Sequence, residues 1–122
     1  MWIENETDNT YVLYTPVSQE PELQRELKIV HEIVNGRDDC YVIISLADIE
    51  ILTSSSISGL MKLHNTLTEN GRLLILCKVG LPVKGVFRTA GLSEVFNFAR
   101  DMLAAQTMIQ TAKYSEPQKT SH

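Results

Sequence analysis

Thr53, Ser54, Ser55, Ser56 and Ser58 place five hydroxyls within six consecutive positions, followed by Gly59 and Leu60. Hydroxyls in such a run have three chemical uses. They accept backbone N–H bonds at a helix start, they take a phosphoryl group, or they attack an electrophile when a base and an oxyanion site stand beside them. No Gly-x-Ser-x-Gly elbow surrounds Ser54 and no base can be named for it, which argues against the third use. His31 and His64 fall on apolar stripes and read as packed side chains, and His122 has no predicted partner. Asp38, Asp39, Asp48 and Glu50 fall in turns and a strand exit, where acids meet water rather than a metal. Neither a P-loop nor a dinucleotide glycine pattern is present, so any nucleotide has to come with a partner. Helix cap and anion or phosphate site therefore both remain open for the hydroxyl run.

The flanking residues say what must position it. Tyr41 to Leu46 is apolar on nearly every residue, with Ile49, Ile51 and Leu52 behind it, and reads as a buried strand and its exit. Ile57, Leu60, Met61, His64 and Leu67 recur at intervals of three and four, one face of a helix running to about Glu69 and closed by Asn70-Gly71. The hydroxyls thus lie at a strand-to-helix turn, where unpaired N–H groups and the positive end of the helix dipole favour an anion. On a helical wheel Ser55 and Ser58 share the polar side with Lys62, while Ser54 falls at the edge of the apolar stripe.

The remaining chain alternates in the same way. Thr10–Thr15 is rich in β-formers and stops at Pro16. A helix opens after Ser18, carries Leu23, Leu27, Val30, His31 and Val34, and stops at Asn35-Gly36. Arg72–Lys78 is a second continuously apolar strand. Pro82 opens a further helix that Gly91 ends, Glu94–Phe98 reads as a short strand, and Met102 to Gln110 suggests a last helix. Residues 1–9 offer at most an edge strand around Trp2-Ile3, and 1–9 and 114–122 are predicted to be loose ends of one domain spanning 1–122. The order implies an α/β fold: a small mixed or parallel sheet of four to five strands covered by about four helices, with Cys40–Leu46 and Arg72–Lys78 adjacent and central.

Composition excludes several functions. A formal charge of −4 lacks the basic footprint of a nucleic-acid binder. No run is long enough for a membrane span, and Met1-Trp2-Ile3-Glu4 does not begin a signal peptide. Cys40 and Cys77 lack metal-ligand or redox spacing and read as reduced thiols of a cytoplasmic protein.

Three features in order resemble the STAS domain, the module shared by anti-sigma factor antagonists and sulfate transporter tails. The apolar strand leads into Thr53-Ser54-Ser55-Ser56-Ile57, where that family usually has Asp-Ser-Ser-Gly-Leu. Gly71-Arg72 precedes the apolar run Leu73-Leu74-Ile75-Leu76. Val86-Phe87-Arg88-Thr89-Ala90-Gly91-Leu92 is similar to the family's leucine-x-x-Thr-Gly-Leu helix ending. The resemblance implies a binding module rather than an enzyme, without a cofactor of its own. Its partner would be an anti-sigma factor with kinase activity, which brings ATP, with a phosphatase as a further partner. Carried over by position, the phosphoacceptor is Ser54, with Ser55 second. The chain departs from the pattern at Thr53 and Ser45, where aspartates are usual, and at Ser56 and Ser58, where glycines are usual. The expected partner surface comprises Thr53, Ser54, Ser55, Ser56, Ser58, Lys62 and Pro82. The alternative is a constitutive STAS subunit of a scaffold, sensory or transport complex that is not phosphorylated.

Overall fold

A computed structural model describes residues 2–5, 11–16 and 20–115. The elements are β1 (Trp2–Asn5), β2 (Tyr11–Pro16), α1 (Glu20–Val34), β3 (Cys40–Ser45), α2 (Ser54–Glu69), β4 (Leu74–Cys77), α3 (Leu81–Thr89), β5 (Asn97–Ala99) and α4 (Met102–Ser115). The five strands form one sheet in the order β1-β2-β3-β4-β5, antiparallel between β1 and β2 and parallel thereafter. The two continuously apolar runs are thus adjacent and interior, as their lack of alternation requires. Every residue of both strands is buried.

Each crossover moves one strand further in the same direction. Crossovers of one hand then place their helices on one face of the sheet. Accordingly α1, α2 and α3 pack Leu23, Leu27, Val30, Leu60, Leu63, Leu67, Val83 and Phe87 against Val42, Ile44, Leu74 and Leu76. The opposite face presents Tyr41, Ile43, Ile75 and Cys77, and α4 covers it with Ala105 and Ile109. The period of two along β3 and β4 divides the core, because Val42 is in register with Leu74 and Ile43 with Ile75. Fully burying one such Leu or Ile contributes about 1.5–3 kcal/mol.

Three expectations are corrected. The edge strand expected at most around Trp2-Ile3 is present and longer, Trp2–Asn5 pairing with Tyr11–Tyr14, so these residues are not a loose end. Tyr114 and Ser115 continue α4, whereas the rest of the expected C-terminal loose end lies outside the described residues. The strand read at Glu94–Phe98 begins later, at Asn97. Gly91, at φ +74°, ends α3, and the next residues turn, with the Val95 N–H donating to the Leu92 carbonyl at 3.1 Å. That turn leaves Val95 exposed and drops Phe96 beneath α3, where it meets Phe87 edge-on at 5.4 Å.

Candidate functional site

The exit of β3 is held down by Ile49 and Leu52, both buried, so the following turn sits fixed on the core. Thr53 then adopts an extended backbone (φ −87°, ψ 162°) and caps α2. Its Oγ1 accepts the Ser56 N–H at 3.3 Å and its carbonyl accepts the Ile57 N–H at 3.0 Å. Ser54, Ser55 and Ser56 are the first three helical residues. The cap is thus Thr53, and Ser54 is exposed. The first turn contains no acidic side chain, so the positive end of the α2 dipole is not offset within its own helix.

The predicted partner residues separate on this geometry. Ser54, Ser55, Ser58 and Lys62 are exposed, and Thr53 is half-buried. Ser56 is fully buried and is removed from the surface set. The reason is the phase of α2: its buried stripe is Ser56, Leu60, Leu63 and Leu67, while Ile57, Met61 and His64 are only half-buried. The two stripes share Leu60 and Leu67, and the observed one is centred roughly 65° from the wheel read from the sequence, less than one residue step. A serine is small enough for the first turn of α2 to lie against the core. Pro82 is exposed in the first turn of α3, behind its cap Gly80. Ser45 is in register with Cys77, and the two adjacent parallel strands end together there. The starts of α2 and α3 therefore stand at the same end of the sheet.

That end also carries features the sequence reading missed. Ile51 and Leu81 are 73% and 81% exposed, the first on the loop leaving β3 and the second at the start of α3. Lys78 takes φ +56°, the left-handed region unusual for a residue with a side chain, as the chain leaves β4. Beside α2, an open groove of about 430 Å³ is walled by Gln24, Leu27, Lys28, His31 and Glu32 of α1 and by Ser55, Ser58, Gly59 and Lys62 of α2. The shared face of Ser55, Ser58 and Lys62 was legible from spacing. The α1 wall was not, although Gln24, Lys28 and His31 follow the same helical spacing beside Leu27.

Titratable groups elsewhere serve packing. His64 meets Phe96 edge-on at 5.4 Å, its Nδ1 is buried without a hydrogen bond, and burial holds its pKa below the usual 6.5. Burial raises the Cys77 thiol and pushes Cys40 up to about 11, with the Asp39 carboxylate adding to the latter. Arg37 pairs with Asp39 at 2.8 Å and holds that carboxyl below its ordinary value. Among the described residues no group of three His, Cys, Asp or Glu side chains is placed to hold a metal ion. No described helix is long and apolar enough to cross a membrane.

Comparison with known proteins gives a consistent picture. The family model described as STAS domain matches residues 2–105. An anti-sigma-factor antagonist (STAS) domain protein from Planctomyces limnophilus superposes with a TM-score of 0.71 at 19% identity, covering 89% of this chain and 97% of that one. A sulfate transporter family protein from Wolinella succinogenes gives 0.72 at 12% identity, with 91% and 98% covered. A serine-to-glutamate variant of RsbS from Moorella thermoacetica gives 0.71 at 12% identity, with 92% and 96% covered. No curated protein sequence matches the chain.

Proposed function

The chain belongs to the STAS domain family, and from that premise we propose that it is an anti-sigma factor antagonist-type binding module, one domain over residues 1–122, switched by phosphorylation of Ser54. The carrying observation is an exposed serine in the first turn of α2, beside a cap supplied by Thr53 and with no acidic neighbour in that turn. The partner is an anti-sigma factor that is itself an ATP-dependent kinase, and its release by phosphorylation is reversed by a phosphatase. In the transfer, Ser54 Oγ bonds to the γ-phosphorus of ATP, the bond from that phosphorus to the β-phosphate oxygen breaks, and ADP leaves. The hydroxyl proton passes to a base on the kinase.

Phosphate at Ser54 adds about −1.5 to −2 charges at a helix start, where the dipole stabilises them by about 0.3–1 kcal/mol. The folded domain tolerates the group because Ser54 is exposed and is not the cap. A partner packed on the same surface does not: bulk, desolvation and any facing carboxylate oppose it. The exposed Ile51 and Leu81, with Pro82, supply the apolar part of that surface.

The test is intact-mass analysis after incubation with the cognate kinase and ATP, alongside binding by wild type, Ser54→Ala and Ser54→Asp. Wild type gains one phosphate, Ser54→Ala binds without being modified, and Ser54→Asp binds more weakly. Charge reversal at Lys62 weakens the partner more than reversal at Glu22 of α1, and equal losses would place the contact elsewhere. A second reading, a constitutive STAS subunit, is favoured by one observation: the cap is Thr53, which offers no carboxylate to orient a hydroxyl or a kinase. No mass gain from Thr53 to Ser58, with unchanged binding by Ser54→Asp, would select it.

A further inference from the structure

The groove between α1 and α2 has no part in the surface just described beyond Ser55, Ser58 and Lys62. Both helices return from the same end of a parallel sheet, so they run parallel to each other. Two contacts set their relative level. A Cβ on Gly59 would stand 3.0 Å from Leu27 Cδ1, so the helices approach closely there. One turn further along α1 and about two along α2, His31 Nε2 lies 3.0 Å from Thr66 Oγ1. Those contacts put Lys28 of α1 level with Leu60–Leu63 of α2, beside Lys62, and both lysines line the groove with Ser58.

Side chains on a helix lean towards its N-terminus. Because the helices are parallel, Lys28 and Lys62 lean the same way, up the groove towards Ser55 and Ser58. Both lysines are exposed, and among the described residues neither belongs to an ion pair. Two ammonium groups facing one gap repel each other unless an anion lies between them. His31 is occupied with Thr66, and Glu32, the one carboxylate on the wall, follows Lys28 by a full turn on the far side from Ser55. The first turn of α2, which holds no acidic side chain, adds the positive end of its dipole at the open end.

We propose that this groove is a built-in receptor for a phosphoryl group carried on Ser55, held in cis between Lys28 and Lys62. Ser54 does not line the groove and Ser55 does. The two neighbouring serines therefore have opposite consequences. A phosphate on Ser54 projects towards a partner, while one on Ser55 folds back and ties α1 to α2. The inference rests on the phosphorylation reading above only for delivery of the group, by the same transfer from ATP.

The test bypasses the kinase. Full-length protein is made with phosphoserine installed during translation at position 54 or at position 55, and each is followed by phosphorus NMR across pH and by thermal melting. The phosphate on Ser55 ionises about one pH unit lower than that on Ser54, as two nearby cations favour its dianion, and it raises Tm by several degrees. Lys28→Ala with Lys62→Ala removes both effects and leaves the Ser54 phosphate as it was, whereas arginine at both positions preserves them. Identical titration at the two positions overturns the receptor, as does a Ser55 shift that survives the double alanine variant, because the helix terminus alone would then account for it. Since the phosphate is installed rather than enzymatically added, a failed receptor leaves the Ser54 switch standing. A failed kinase assay likewise leaves the receptor standing.

Discussion

Replacing Thr53 by alanine removes the side-chain acceptor at the start of α2 without touching the hydroxyl proposed as the switch. The magnitude follows from the cap geometry. Losing an N-cap hydroxyl costs about 0.5–2 kcal/mol. The 3.3 Å separation from the Ser56 N–H is longer than the common 2.9–3.0 Å, which favours the lower part of that range. The full burial of the Ser56 side chain limits replacement by water, which favours the upper part. About 1 kcal/mol is the balance, or roughly a 4 °C loss in Tm for a domain of this size. Ser54→Ala, at an exposed position that is not the cap, stays within about 0.5 kcal/mol of wild type. Thr53→Asp moves the other way by a few tenths of a kcal/mol or more, because aspartate is a stronger cap and this first turn holds no acid. Urea unfolding followed by circular dichroism orders the three variants. A cost for Ser54→Ala equal to or above that for Thr53→Ala refutes the assignment of the cap.

Other outcomes follow from the packing. Gly59→Val introduces branches where even a Cβ meets Leu27 Cδ1 at 3.0 Å, and should cost about 1–3 kcal/mol in the same unfolding assay; a neutral result would mean α1 and α2 are not in close contact. Because burial holds the folded-state pKa of His64 below 6.5, the unfolded chain binds more protons between the two values. His64 therefore makes stability rise with pH through that window, reach its full value above about 6.5, and fall as the pH drops below it. His64→Phe should flatten this part of the pH–stability profile, and an unchanged slope in the variant assigns the effect to other groups. Cys40 and Cys77 should react with a thiol reagent at neutral pH only as fast as the protein opens, since both are buried and their thiols are held protonated. Labelling at the rate of a free thiol in the folded protein contradicts that burial.

The elements of the fold were readable because each depends on its own residues and nearest neighbours. Unbroken apolar runs mark strands covered on both faces, and β3 and β4 are interior. Asn70-Gly71 ends α2 through local bonds, with the Gly71 N–H on the Thr68 carbonyl at 3.0 Å and the Arg72 N–H on the Leu67 carbonyl at 2.8 Å. The position of the hydroxyl run at a strand-to-helix turn was legible for the same reason, as was the common face of Ser55, Ser58 and Lys62. Glu94–Phe98 misled because its aromatic residues suit a strand equally well as a core plug, and Phe96 fills the second role.

What this sequence determined by itself is therefore the order and type of its elements, the exposed chemistry of the turn at Thr53–Ser55, and the absence of basic character. Tertiary structure alone decided which residue of that turn is buried and what faces the others. The azimuth of α2 depends on how the sheet and α1 receive it, so periodicity defines a stripe's spacing but leaves its phase open by part of a residue step, enough to bury Ser56 instead of exposing it. The groove needs side chains about thirty positions apart to meet, Leu27 with Gly59 and His31 with Thr66. Separation along the chain carries no record of such a meeting, because it is set by the path of β3 between the two helices and by the closeness that a glycine permits.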